Sequence, residues 1–133
     1  MNVVETEWWI LDLPVEWQAE QEDETIIISD EDGVGELAIT TLEKQGGVVS
    51  DQELLALAEE LVDEYGSPDA VNLAELTGFY FSYNEEGLSL RDWYLKFDNK
   101  IILITYSCEL ENSAMDDAAV NEILSTFFMK EDD

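Results

Sequence analysis

The stretch "TGFYFSYNEEGLSLRDWYLKFDNKIILITYSCEL", residues 77–110, decides the fold. Phe79, Phe81 and Tyr83 alternate with smaller or polar residues, the period of a β-strand. Asn84 to Gly87 supplies a turn, and "LSLRDWYLKF" (88–97) returns. Asp98, Asn99 and Lys100 form a tight polar turn into "IILITYSCEL" (101–110). Three strands joined by two short turns are an antiparallel meander. The middle strand carries apolar residues on both parities: Trp93, Leu95 and Phe97 on one, Leu88, Leu90 and Tyr94 on the other. Such a strand belongs to a sheet covered on both faces.

Moving toward the N-terminus, "SDQE" (50–53) is a capping box. Ser50 accepts from the Glu53 amide, and Glu53 reaches back to Ser50. Leu54, Leu57, Ala58, Leu61 and Tyr65 then recur at helical spacing, with Glu59, Glu60, Asp63 and Glu64 opposite. Gly66 and Pro68 end this helix. Before it, residues 7–11, 15–20, "TIIIS" (25–29) and "ELAITTL" (36–42) read as strands. In the second of these, Val15, Trp17 and Ala19 form the expected inward face. Beyond the meander, Val120, Ile123, Leu124, Phe127 and Phe128 mark a helix over 115–129, with Ser113 or Asp116 as its cap.

The expected order is β-β-β-β-α-β-β-β-α. Two helices are too few to connect a parallel sheet. The fold class is therefore α+β: a central, mostly antiparallel sheet of six to seven strands flanked by two main helices. Length supports one domain, residues 1–130, with 131–133 as a solvated tail. "LDLPVEW", the hairpin ending in "GELAITTL", the "SDQELLALAEEL" helix, the aromatic meander and the closing "ILSTFF" together resemble the Mog1/PsbP-like fold, including small bacterial, DcrB-like members. The resemblance implies an α/β/α sandwich and a group of binding proteins rather than enzymes.

Charge restricts the partners. Five Lys and Arg against 33 Asp and Glu leave −28. A nucleic-acid binder needs clustered cations, so nucleic acid is excluded as a partner. Anionic membrane is disfavoured for the same reason. A domain of this mass exposes roughly 7,000 Å², which spaces the acids about 15 Å apart if spread evenly. That exceeds the Debye length of about 8 Å in physiological salt, so halophily is not required. The acids do cluster, in Glu20, Glu22, Asp23 and Glu24, in Asp30, Glu31 and Asp32, and in Glu59, Glu60, Asp63 and Glu64. Simple solvation, a surface for a basic protein partner, and salt adaptation all remain open.

The chain has no histidine, which excludes Ser-His and Cys-His nucleophile pairs and His-containing zinc sites. Cys108 is the single cysteine, a strand residue with no cationic neighbour in sequence, and reads as a packing residue. No dinucleotide, phosphate-loop or nucleophile-elbow pattern occurs, so no cofactor is expected. The loop "SDEDGVGEL" (29–37) lacks the fifth and twelfth ligands of a calcium loop begun at Asp30, and strands flank it; it reads as a hairpin turn. The opening "MNVVETEWWILDLP" has the features of neither a signal peptide nor a membrane span, so a cytoplasmic setting is expected.

The expected function is a noncatalytic interaction module for a basic protein, of immunity, adaptor or effector-chaperone type. A nucleic-acid-mimicking inhibitor, a carboxylate-dependent small enzyme and a merely soluble acidic domain are the alternatives. Candidate contact residues are the acids Glu20, Glu22, Asp23, Glu24, Asp30, Glu31 and Asp32 and the aromatics Trp8, Trp93 and Tyr94. The aromatics are open to two readings, core packing or exposed anchors.

Overall fold

The computed structural model describes residues 2–31, 33–73, 75–112, 115 and 117–130. The meander is present as β7 (Leu76–Glu85), β8 (Leu88–Phe97) and β9 (Lys100–Glu109). Glu86 and Gly87 sit at φ 49° and 82°, the left-handed pair of a two-residue hairpin turn. The remaining strands of the main sheet are β3 (Trp17–Glu22), β4 (Thr25–Asp30), β5 (Gly35–Glu43) and β6 (Asp69–Leu73). All seven pair antiparallel, in the order β3-β4-β5-β9-β8-β7-β6. The chain is thus α+β, as the sequence predicts.

The sequence reading expects neither β6 nor a second, smaller sheet. That sheet is made of β1 (Asn2–Glu5), β2 (Trp9–Leu13) and β10 (Phe128–Met129), with β2 in the middle. Its members are short and meet from opposite ends of the sequence, so no local period reveals it. With the helix α3 (Asp117–Ser125) it covers one face of the main sheet. Trp9, Leu11 and Leu13 of β2 and Val120, Ile123 and Leu124 of α3 meet Ile28, Leu37, Ile39, Trp93, Leu95, Ile102 and Ile104 in one buried cluster. Each large side chain buried there contributes roughly 1.5–3 kcal/mol. Trp9 keeps its polar edge satisfied, since its indole N–H donates to Thr41 Oγ1 at 2.8 Å.

The opposite face receives the helix pair, packed over β7 and β8. The capping box is formed: the Glu53 amide donates to Ser50 Oγ at 3.1 Å and the Ser50 amide to Glu53 Oε1 at 3.2 Å. The expected single helix is broken, however, into α1 (Asp51–Leu57) and α2 (Glu59–Tyr65). Ala58, at φ −100° and ψ 13°, turns its amide back to Leu55. Leu54 and Ala58 are drawn fully against the sheet, whereas Leu57 is left 48% exposed.

Two other boundaries shift. The final helix stops at Ser125 rather than 129. Thr126 ends it: its hydroxyl donates to the Ile123 carbonyl at 2.7 Å and accepts from the Asp12 amide at 3.0 Å. Phe127 then turns inward and Phe128 outward as β10 pairs with β2. The proposed caps Ser113 and Asp116 and the tail 131–133 lie outside the described residues. The second strand starts at Trp17, not Val15. Val15 occupies a turn closed by the Trp17 amide on the Pro14 carbonyl and is 75% exposed. Ala19 is exposed too, because β3 is an edge strand and only Trp17 reaches beneath the small sheet.

Candidate functional site

Between the small sheet and the tip of the β3–β4 hairpin lies a cleft of about 400 Å³. Its lining includes Glu5, Glu7, Trp8, Gln21, Asp23 and Glu24, above a floor of Ile26 and Thr41. A tight turn builds one wall. Thr6 Oγ1 accepts from the Trp8 and Trp9 amides at 3.2 and 3.1 Å, and the Thr6 amide donates to the Trp9 carbonyl at 2.9 Å. This turn divides the adjacent tryptophans. Trp9 goes into the core against Phe127, with ring centroids 4.9 Å apart, and Trp8 is half-buried along the cleft. The other wall is the hairpin tip, where Asp23 adopts φ 54° and Gln21 Nε2 donates to its carbonyl at 3.3 Å.

Four carboxylates thus border one indole. One base enters the arrangement: Lys130 Nζ contacts Glu5 Oε2 at 2.5 Å. An ammonium or guanidinium fits this chemistry. Its charge meets carboxylates, and its carbon stem lies on the tryptophan. Thr6 and Thr41 are the cleft's hydroxyls, and both are engaged in the turn and the Trp9 bond.

The sequence-predicted residues divide among several places. Trp8, Asp23 and Glu24 come together here. Glu20 and Glu22 do not, because strand alternation directs them with Ile27 to the opposite face of the sheet; Glu20 lines a shallow hollow there. Asp30 and Glu31 sit at the other end of β4, roughly 17 Å from the tip at 3.3 Å per residue. Asp30 serves the turn: its Oδ1 accepts from the Gly33 amide at 2.8 Å. The "SDEDGVGEL" loop is therefore a hairpin connection. Asp32 lies outside the described residues.

Trp93 is 6% exposed and belongs to the core, with Tyr80 at 5.2 Å and the Arg91 guanidinium 4.7 Å from its ring. Its placement answers the question of core or anchor in favour of core. Tyr94, on the other parity, is half-buried beneath the helix pair and edge-on to Phe81 at 5.7 Å. Glu5, Glu7 and Gln21 are cleft residues that sequence reasoning passes over. The signal available for Glu5 and Glu7 was their position on either side of Thr6, directly before the double tryptophan.

No protein-family model matches the chain, and no curated protein matches it in sequence. Solved structures do. A crystal structure from Bacteroides thetaiotaomicron VPI-5482 is similar at TM-score 0.69 and 16% identity, over 94% of this chain and 46% of that one. The chain spans less than half the length of that protein. LpqN, involved in cell envelope biogenesis of Mycobacterium tuberculosis, is similar at TM-score 0.58 and 12% identity, over 92% of this chain and 83% of its own. The cyanobacterial PsbP of Synechocystis sp. PCC 6803 aligns at TM-score 0.47 and 10% identity, over 92% of this chain and 86% of its own. The first two likenesses show a shared α+β fold.

Proposed function

We propose that the protein is a noncatalytic interaction module that captures a basic protein through the tryptophan cleft. The observation that carries this reading is the convergence of Glu5, Glu7, Asp23 and Glu24 around Trp8. A lysine or arginine of the partner enters as an anchor, and the remaining negative surface steers the approach. Lys130 on Glu5 occupies the rim much as such a side chain would. The setting proposed is the cytoplasm, in keeping with a lone buried thiol at Cys108.

The test is affinity capture from the native host at low and at high salt, with Trp8→Ala and an Asp23→Asn/Glu24→Gln variant in parallel. A Lys/Arg-rich protein should be retained at low salt, released at high salt, and lost from both variants. Retention of the same proteins by wild type and variants alike would sink the cleft as the docking site.

A further inference from the structure

Strand β3 forms one edge of the main sheet, with β4 as its neighbour. The ladder between them fixes which main-chain groups of β3 face outward. The Glu31 amide donates to the Glu16 carbonyl at 3.0 Å, so these two residues belong to a hydrogen-bonded pair. Alternation along an antiparallel ladder makes Gln18–Ser29, Glu20–Ile27 and Glu22–Thr25 hydrogen-bonded pairs as well. Trp17, Ala19 and Gln21 then point their N–H and C=O away from β4. The Trp17 amide is already engaged by the Pro14 carbonyl at 3.0 Å. The outward groups of Ala19 and Gln21 have no main-chain partner among the described residues, and both residues are exposed.

An edge of this kind is a template for a further strand unless lysine, proline, a bulge or a covering element protects it. β3 holds neither Lys nor Pro, and its register with β4 runs without a bulge from Trp17 to Glu22. Its charge decides which strand it can accept. Gln18, Glu20 and Glu22 share the face of the sheet opposite the core, on the parity of Ile27. A second copy of the chain is a poor occupant. In the register that engages both free residues, Ala19 of one copy stands opposite Gln21 of the other, and Glu20 then faces Glu20. Like charges directly opposite are destabilising, whereas opposite charges there are favourable. The other edge of the sheet, β6, is shorter and carries one acid, Asp69.

We propose that β3 receives an extended, basic segment of a protein partner as an added antiparallel strand. The segment exchanges main-chain hydrogen bonds with Ala19 and Gln21 and sets lysine or arginine opposite Gln18, Glu20 and Glu22. Side chains directly opposite stand about 5 Å apart at Cβ, within reach of an ammonium–carboxylate contact. Backbone bonds give the affinity, and the alternation of basic with strand-forming residues gives the specificity. The proposal does not rest on the tryptophan cleft, so either can fail without the other.

The experiment is an amide NMR titration of the full chain with the capped peptide KTKVK, in about 0.3 M NaCl to screen diffuse attraction. In the proposed register its lysines stand opposite Gln18, Glu20 and Glu22, and its threonine and valine opposite Gln21 and Ala19. Saturable shifts along β3 are expected, with a Kd below about 1 mM and slowed exchange of the Ala19 and Gln21 amides. N-methylation of the peptide at threonine and valine removes the donors aimed at β3 and should weaken binding about tenfold or more. N-methylation at the two following lysines keeps the same charge and should leave binding little changed. Ala19→Pro deletes an outward amide while sparing the ladder to β4, and should weaken binding as the first peptide does. Glu20→Gln/Glu22→Gln should weaken it several-fold, whereas Trp8→Ala should leave it unchanged. Three results overturn the proposal: equal affinity for the two methylated peptides, no saturation up to about 10 mM, or a dimer of the free chain that itself protects the Ala19 and Gln21 amides. Should Ala19→Pro not fold, the two methylated peptides on the wild-type chain decide.

Discussion

At Gly78 a Cβ would stand 1.9 Å from the carbonyl oxygen of Tyr94 and 2.9 Å from Leu95 Cα. Both obstacles are backbone of the neighbouring strand, which cannot rotate aside. Gly78→Ala should therefore destabilise the fold by about 3 kcal/mol, the upper end for overpacking, as read by urea denaturation. An effect below about 1 kcal/mol would mean that β7 and β8 are not so closely apposed. Asp92 gives a second prediction. Burial raises its carboxyl above the ordinary range, partly offset by the hydroxyls of Tyr83 and Thr105. Well below that range both folded and unfolded chains hold the proton, and the group contributes nothing. As pH rises, the unfolded chain releases its proton first, so stability falls until the folded group also ionises. Asp92→Asn removes this loss. Its stability relative to wild type should grow with pH above the normal carboxylate range and then reach a plateau. A difference independent of pH would contradict the buried ionisation. Some of this was legible. Adjacent Trp8 and Trp9 had to face opposite ways, and Asp92 shares a parity with Leu90 and Tyr94, a mark of an acid on an apolar face. That it is buried there depends on packing from remote elements, which no spacing encodes.

Among the elements, α1 was the easiest to read because its signal is local. Ser50 and Glu53 face each other across three residues whatever the rest of the chain does. Ser50→Ala should cost about 1 kcal/mol, and hydrogen exchange should place the loss in the first turn of α1. Protection unchanged there would deny the cap its role. The meander was legible for the same reason: hairpin turns join strands that are neighbours in sequence. The break at Ala58 was harder to see, because helical spacing alone continues smoothly through it. The small sheet was not legible at all. Its central strand is bordered by residues 2–5 on one side and 128–129 on the other, and α3 ends where Thr126 finds the backbone of Asp12. Alternation also explains why the acid-rich "AEQEDE" stretch did not form one patch. Glu20 and Glu22 pass to one face of the sheet while the hairpin tip carries Asp23 and Glu24 to the cleft.

For the whole molecule, 33 acids share a surface of 7,692 Å². Among the described residues, ion pairs fasten one element to another: Lys44 and Lys96 hold α1, Arg91 holds α3, and Lys130 joins the end of β10 to β1. Little positive charge is left to offset the field in solution, so the acids repel one another across the fold. Thermal stability should rise from low salt to a few tenths molar NaCl, where the Debye length drops to roughly 5 Å, and flatten beyond it. A continued steep climb into molar salt would instead favour adaptation to brine.

The small sheet also imposes an order in time. Strand β2 is made well before Phe128–Met129, its partner on one side. During synthesis Trp9, Leu11 and Leu13 must therefore wait, with their apolar faces uncovered, while the main sheet assembles. Only when β10 docks does the layer over that sheet close. A nascent chain halted before residue 128 should accordingly be more sticky, and more readily cleaved around β2, than one that includes β10.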